Sequence, residues 1–280
     1  MERNDRYIPG VPCWIDTTQP DPDRGAAFYA ELFGWELEDT MPPGSPGKYY
    51  VARLRGEDVA AVSSQPEGAP EGAVWNTYVW VEDADEAAAK VSAAGGTVLA
   101  EPFDVGDAGR MATFADPEGA GCCVWQAKEH RGAAIVNEHG TLTFNNLSTR
   151  DLDGAQAFYG AVFGWEIIHD SMWALPGYGD FLEQRNPGMR AGMADMGAPE
   201  RFEDVVASVS LTPDAEPHWG VTFAVDDTDA IAARAAELGG SVVVPPFDAP
   251  WVRMTIISDP QGATFTATKF VPANKDLPGR

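Results

Sequence analysis

Cysteine is scarce in this chain of 280 residues, and its three copies provide no disulfide framework. Cys122 and Cys123 are neighbours in a stretch that reads as a strand, so their side chains point to opposite faces and cannot easily pair. That usage fits a reducing cytosol. Basic residues are scarce too: 19 Lys and Arg stand against 43 Asp and Glu, for a formal net charge of -24. A surface so acidic repels phosphate, which argues against nucleic acid and anionic membranes as partners and favours solubility. No window approaches the ~18 apolar residues of a membrane span. Met1 to Gly10 carries charge and proline but no apolar leader segment. The expectation is a cytoplasmic globular protein, because 44% hydrophobic and 22% charged residues is ordinary soluble composition.

What the chain does have is a copy of itself. Residues 28–37 read FYAELFGWEL, and residues 158–167 read FYGAVFGWEI. AGGTVLAEPFD (94–104) returns as LGGSVVVPPFD (238–248), and ADPEGA (115–120) returns as SDPQGA (258–263). The blocks keep their order, so the duplicated unit is a whole domain. The boundaries read as domain 1 over 7–127, a polar linker over 128–138, domain 2 over 139–272 and a tail over 273–280.

Each half divides again into two modules with one grammar: a strand, a helix, then three strands. Val11 to Thr17 reads as the opening strand. Asp21 caps the following helix, with Pro22 at the first helical position, where its missing N–H costs nothing. Ala27, Phe28, Leu32 and Phe33 supply an apolar stripe, Gly34 ends the helix and Trp35 opens the next strand. The second module restarts at Trp75, with Asp83 and Glu86 as a capping box and a helix stop at Gly95-Gly96. Strands follow near 97–104, 110–115 and 120–126, and Asp116-Pro117-Glu118-Gly119 and Asp259-Pro260-Gln261-Gly262 read as tight turns. The last strand of each first module is expected at 58–65 and at 188–196. This is an α+β fold of four βαβββ modules, paired into two tandem half-open barrels, because a twisted mixed sheet with helices on one face curls around a cleft.

The FY-x-x-x-FGW block, a strand ending in V-x-D, a helix end in Gly-Gly and the DP-x-G hairpin occur in that order twice, over nearly the whole chain. Together they resemble the vicinal oxygen chelate superfamily of glyoxalases, bleomycin-binding proteins and extradiol dioxygenases. Within it, the chain is similar to a two-domain actinobacterial glyoxalase-like branch. The resemblance implies a cleft that holds one divalent metal on His, Glu or Gln side chains at fixed strand positions. Those positions fall at Trp14, Asn76 and Cys123 in domain 1 and at Phe144, Gly220 and Thr266 in domain 2. Divalent metals of this kind need N and O donors that this set does not offer. The four histidines (His130, His139, His169 and His218) fall elsewhere. No metal and no cofactor are therefore expected.

If those positions face the cleft, so do residues two away on each strand. Trp14, Asn76, Tyr78, Trp80, Trp125, Phe144, Asn146, Thr222 and Thr266 are the candidate ligand-binding residues, with Gly220, Trp251 and Arg253 as weaker ones. Trp14 and Trp80 either line a pocket or fill a core; Trp35 and Trp165 of the FGW blocks are assigned to the core. Asp16 is the candidate acid or base and Cys123 the candidate nucleophile. An aromatic lining with a few polar groups suits a flat, partly apolar ligand. The leading expectation is a metal-independent small-molecule binding protein, for an aromatic metabolite or antibiotic. The alternative is a cofactor-free isomerase, cyclase or lyase using Asp16, or a helper of an oxygenase; metal-dependent chemistry stands behind both. Four modules complete their own clefts, so a monomer suffices, and strand edges leave a homodimer open.

Overall fold

Capping and periodicity set the elements, and the computed structural model describes residues 6–66, 68 and 72–278. The last two residues of the expected tail, 279–280, lie outside the described residues. The first repeat runs β1 (Pro12–Gln19), α1 (Pro22–Phe33), β2 (Glu36–Asp39), β3 (Tyr49–Leu54), β4 (Glu57–Ser64), then β5 (Val74–Trp80), α2 (Ala84–Ala93), β6 (Thr97–Val105), β7 (Gly109–Ala115) and β8 (Gly121–Ala127). The second runs β9 (Thr141–Thr149), α3 (Leu152–Phe163), β10 (Glu166–Ile168), β11 (Met172–Ala174), α4 (Tyr178–Arg185), α5 (Met189–Met196) and β12 (Val205–Leu211). It closes with β13 (His218–Ala224), α6 (Thr228–Glu237), β14 (Ser241–Ala249), β15 (Val252–Ser258) and β16 (Thr264–Phe270). Each repeat builds one eight-stranded mixed sheet, ordered β2-β3-β4-β1-β5-β8-β7-β6 and β10-β11-β12-β9-β13-β16-β15-β14. Two tandem α+β sheets of βαβββ modules are thus the architecture. Among the described residues no helix is long and apolar enough to cross a membrane.

The caps read at Asp21 and Gly34 are in place, and the second repeat copies them. Asp21 and Asp151 accept from the backbone N–H of Arg24 and Gly154, and Gly34 and Gly164 close α1 and α3 in the left-handed region. Each cap is worth ~1 kcal/mol. The buried stripe of α1 is wider than expected, with Gly25, Ala26, Phe28, Tyr29, Leu32 and Phe33 inside. Ala27 is exposed instead, because it points away from the 25/28/29/32 face.

A second correction concerns residues 188–196, expected as a strand. They form helix α5, framed by Gly188 and Gly197 at φ 92° and 78°. Met189, Met193 and Met196 recur at helical spacing among alanines, a pattern that has no period of two. The strand of that module is β12, and α4 and α5 are an insertion where the first repeat has only the Arg55-Gly56 turn.

Packing divides the chain differently from the sheets. One compact unit comprises Met1–Cys13, Thr77–Arg131 and Asn145–Trp219; the other comprises Trp14–Asn76, Gly132–Phe144 and Gly220–Arg280. Each unit therefore pairs the first module of one repeat with the second module of the other. In the Trp14-containing unit, Phe28 and Phe33 of α1 share one core with Phe223, Ile231, Ile257 and Phe265. In the other unit, Phe158 and Phe163 of α3 meet Phe114 with centroids 6.0 and 6.2 Å apart.

The conserved-looking blocks of the two repeats turn out to be parts of one buried device, built once in each unit. Trp219 Nε1 donates to Tyr159 Oη at 2.8 Å, which donates to Asp116 Oδ2 at 3.0 Å. The other carboxylate oxygen, Oδ1, accepts Glu118 N and Ala120 N at 2.9 Å each, and so shapes the DP-x-G turn. In the second unit Trp75, Tyr29 and Asp259 repeat this at 3.1 and 2.9 Å, and Gln19 Nε2 adds a bond of 2.7 Å to Asp259 Oδ2. Burial pushes the Asp116 carboxyl above the usual aspartate range, and burial beside a carboxylate pushes both tyrosines up, so they remain donors. The FGW tryptophans close the same cores: Trp35 Nε1 donates to Gly140 O at 2.8 Å, and Trp165 Nε1 to Gly10 O at 2.7 Å.

The Gly-Gly helix ends have two separate reasons. Gly95 and Gly239 take φ of 91° and 89°, which side chains resist. At Gly96 a Cβ would lie 2.9 Å from Ala115 O and 2.8 Å from Phe158 Cε2, and at Gly240 it would lie 2.8 Å from Ser258 O. The second glycine lets the helix end touch the neighbouring strand.

Candidate functional site

Strand alternation puts Ile15, Thr17 and Gln19 on the helix-covered face of β1 and leaves Trp14 and Asp16 on the other. Trp14 and Asp16 are nonetheless buried, each 2% exposed, because Tyr49 of β3 and Asn76 of β5 close over them. Trp14 Nε1 donates to Tyr49 Oη at 3.0 Å; Tyr49 Oη donates to Asp16 Oδ2 at 3.2 Å. Asn76 Nδ2 donates to Asp16 Oδ1 at 2.8 Å. Both oxygens of the carboxylate are therefore acceptors in place, and the half-buried tyrosine and amide are the parts of the chain that reach the surface. All four residues lie in the Trp14-containing unit.

A second group lies in the other unit. β5 and β8 run parallel with Tyr78 opposite Cys123 and Trp80 opposite Trp125, so these four predicted residues share one face. Tyr78 and Trp125 meet edge to face at 6.4 Å, and Trp80 stacks on Tyr7 at 6.0 Å. Trp125 Nε1 donates to His130 O at 2.9 Å, and a Cβ on Gly109 would come within 2.5 Å of its ring. The register of β7 adds Thr113 beside Cys123, at 3.6 Å between Oγ1 and Sγ, and Met111 beside Trp125. Phe103 of β6 pairs with Met111.

In the second repeat the predicted residues are more dispersed. Asn146 Oδ1 accepts from Ser208 Oγ at 2.9 Å and Ser210 Oγ at 3.1 Å, a polar cluster within its own unit. Thr222 and Thr266 are register partners in the other unit, which also holds the half-buried Phe144. Of the weaker candidates, Arg253 bridges Asp229 and Asp248 at 2.8 and 3.2 Å, as Arg110 bridges Asp85 and Asp104 in the first repeat. Both are structural clamps. Trp251 lies flat on Phe270 at a centroid distance of 6.1 Å.

Sequence reading missed Tyr49, Met111, Thr113, Ser208 and Ser210. Tyr49 opens β3, a strand to which the sequence reading gave no bounds. Met111 and Thr113 needed the register of the β7–β8 hairpin, which pairs them with Trp125 and Cys123.

The thiols are the simplest chemistry to test. All three cysteines are buried and unpaired with one another, and burial pushes the Cys13 and Cys122 thiols far above their usual range. A thiol so raised stays protonated at neutral pH and gains thiolate only in strong base. Ellman's reagent is expected to find no fast-reacting thiol in the native protein and all three after denaturation. One fast native thiol would identify an accessible Cys123 and restore it as a nucleophile.

The sequence profile of the glyoxalase/bleomycin resistance protein/dioxygenase superfamily matches residues 14–124 and again residues 141–266. This chain belongs to that superfamily. A Mycobacterium tuberculosis relative named "Putative glyoxylase CFP32" is 43% identical over 275 residues, covering 97% of this chain and 99% of its own. The anthracycline biosynthesis protein DnrV of Streptomyces peucetius is 35% identical over 278 residues, 95% of either chain. Among solved structures, the Mn(II)-bound glyoxalase of Novosphingobium aromaticivorans aligns with a TM-score of 0.60 at 16% identity, over 93% of this chain and 82% of that one. The 2,3-dioxygenase LapB of Pseudomonas sp. KL28 aligns with a TM-score of 0.59 at 14% identity, over 94% and 93%. At such identities these two structures establish the fold.

A superfamily metal would need ligands at the positions held here by Trp14, Asn76 and Cys123, or by Phe144, Gly220 and Thr266. The donor chemistry does not fit. An indole nitrogen has no lone pair to give, and that of Trp14 already donates to Tyr49. Phenylalanine and glycine side chains have no donor atom. Among the described residues no group of three or more His, Cys, Asp or Glu side chains is placed to hold a metal ion.

Proposed function

We propose that this superfamily member binds a flat, partly apolar small molecule without a metal, using the group around Asp16 in the first repeat. The Trp14–Tyr49–Asp16–Asn76 hydrogen-bonded chain carries this reading. It occupies the place of the first implied metal ligand with an aromatic wall, and it fixes a phenol and an amide as orienting groups. Both Asp16 oxygens are engaged by donors, which suits an anchor that holds those groups better than a base that must reach a substrate proton. Two relatives named for anthracycline biosynthesis support a polycyclic aromatic as the ligand class. The second reading is acid–base turnover of such a ligand, with Asp16 relaying a proton through Tyr49; the buried carboxylate beside a half-buried phenol favours it.

An anthraquinone titrated against the native protein, followed by quenching of tryptophan fluorescence, separates the two. Trp14→Phe and Asp16→Asn are each expected to weaken binding about tenfold, ~1.4 kcal/mol, with no product formed by either protein. Retained binding in Asp16→Asn with loss of a product formed by the native protein would instead establish turnover. Metal bound at one ion per chain in protein purified without chelator would overturn the metal-free reading.

A further inference from the structure

The β14–β15 hairpin closes on a two-residue turn, because Ala249 pairs with Val252 and leaves Pro250 and Trp251 between them. Trp251 takes φ 68°, the left-handed region that such turns usually leave to glycine or asparagine. In that conformation a Cβ crowds the following carbonyl oxygen, so a tryptophan there is strained. On the neighbouring strand Phe270 pairs with Val252, and its ring is 56% exposed. The half-buried Trp251 lies parallel to it, at 1° with centroids 6.1 Å apart. Neither ring belongs to the buried core of its unit.

The duplication provides an internal control, because the first repeat makes the same junction without either ring. Gly109 pairs with Ala127 as Val252 pairs with Phe270. Ala108 O accepts from Lys128 N at 3.0 Å, as Trp251 O accepts from Val271 N at 2.6 Å. Ala108 and Ala127 thus stand at the two positions, and neither the hairpin nor the sheet requires aromatic side chains there. A polar group reaches the same place in the second repeat. Asn274 Nδ2 donates to Val252 O at 3.1 Å and to Asp248 Oδ1 at 3.2 Å, which leaves Asn274 Oδ1 as an acceptor at Val252, the neighbour of both rings.

A flat aromatic platform at a hairpin tip covers one face of its occupant and leaves the other in water. A wholly apolar ring system gains little there, because it needs most of its surface buried. A pyranose ring with equatorial substituents suits the geometry. Its axial C–H bonds form an apolar face of slight positive charge, which lies on the negative face of an aromatic ring. Its hydroxyls point outward, to water or to Asn274 Oδ1. A net charge of -24 repels acidic sugars, so the saccharide that fits is uncharged. We propose that Trp251 and Phe270 form a platform for an uncharged saccharide of gluco-type rings. The site goes beyond the Asp16 group, none of whose residues takes part in it.

The test is titration of the full chain with cellohexaose, followed by saturation-transfer NMR, with 2-naphthamide as the aromatic comparison. The native protein is expected to bind cellohexaose at millimolar concentration, with saturation reaching its ring C–H protons. Phe270→Ala and Trp251→Gly are each expected to weaken that binding about tenfold. Both variants are expected to fold: the first copies the residue of the other repeat, and glycine suits φ 68° at the second. An unchanged melting temperature checks this. Asp16→Asn is expected to leave cellohexaose affinity unchanged, so failure here and failure of the Asp16 reading are distinguishable. Native affinity in both ring variants would overturn the proposal, as would no saturation transfer to cellohexaose at millimolar concentration. Tighter binding of 2-naphthamide, lost in the same two variants, would overturn it by assigning the rings to an aromatic ligand. A native dimer that Phe270→Ala turns into a monomer would overturn it by giving the rings to a second copy of the chain.

Discussion

Replacing Asp259 with alanine is expected to destabilise the protein by about 4 kcal/mol. The carboxylate is 4% exposed and serves four donors at once. Oδ2 accepts from Gln19 Nε2 and Tyr29 Oη, and Oδ1 accepts from the backbone of Gln261 and Ala263. Each buried donor left without a partner costs about 1–3 kcal/mol, moderated where the turn opens to water. In a chain of this size the melting temperature falls by on the order of 10 °C. Asp259→Asn keeps one oxygen for the turn and is expected to lose about half as much. Urea unfolding of the two variants side by side checks both numbers. A loss below about 1 kcal/mol in the alanine variant would mean that Tyr29 and Gln19 find other acceptors and that the relay is not what ties α1 to the β15–β16 hairpin.

The second large effect is Trp165→Ala, expected to cost about 3–5 kcal/mol. The indole is 1% exposed and packs on Tyr159, Phe163, Trp173 and Trp219 at centroid distances of 5.0–5.9 Å. Its removal leaves a cavity among stiff rings that collapse poorly, and it strands Gly10 O without its donor. Trp165→Phe keeps most of the volume and is expected to lose about 1–2 kcal/mol, mainly that hydrogen bond. Near-ultraviolet circular dichroism during urea unfolding reads both variants through the aromatic cluster. If the alanine variant unfolds at the same urea concentration as the native chain, the FGW tryptophan is not a core residue.

Much of the site was legible because strand alternation is rigid. Trp14, Asp16 and Asn76 share a face by counting alone, and so do Tyr78, Trp80, Cys123 and Trp125. What counting could not show was that Trp14 and Asp16 are closed over by Tyr49, a residue from β3 whose placement depends on a hairpin rather than on its own strand. Whether Trp80 belongs to pocket or core has a similarly non-local answer. It is 8% exposed and stacks on Tyr7, which precedes β1 in the chain. The insertion itself misled the pattern reading, because residues 188–196 align with a strand of the first repeat but carry methionines at helical spacing.

The sequence by itself determined the modules. Caps at Asp21, Asp83, Asp151 and Asp227, stops at Gly34 and Gly164, and the DP-x-G turns are local, so each element follows from a few consecutive residues. The duplicated FGW blocks likewise marked Trp35 and Trp165 as core residues. Only the tertiary structure decided which copies meet. An apolar stripe states that a helix must be covered, not by which of two similar hairpins, and both repeats offer an aspartate turn and an aromatic strand of the same design. The chain resolves this by packing α1 with β15–β16 of the other repeat, and α3 with β7–β8. A buried tyrosine hydroxyl needs a hydrogen-bond acceptor, and the Tyr29–Asp259 and Tyr159–Asp116 bonds supply one in each of these pairings.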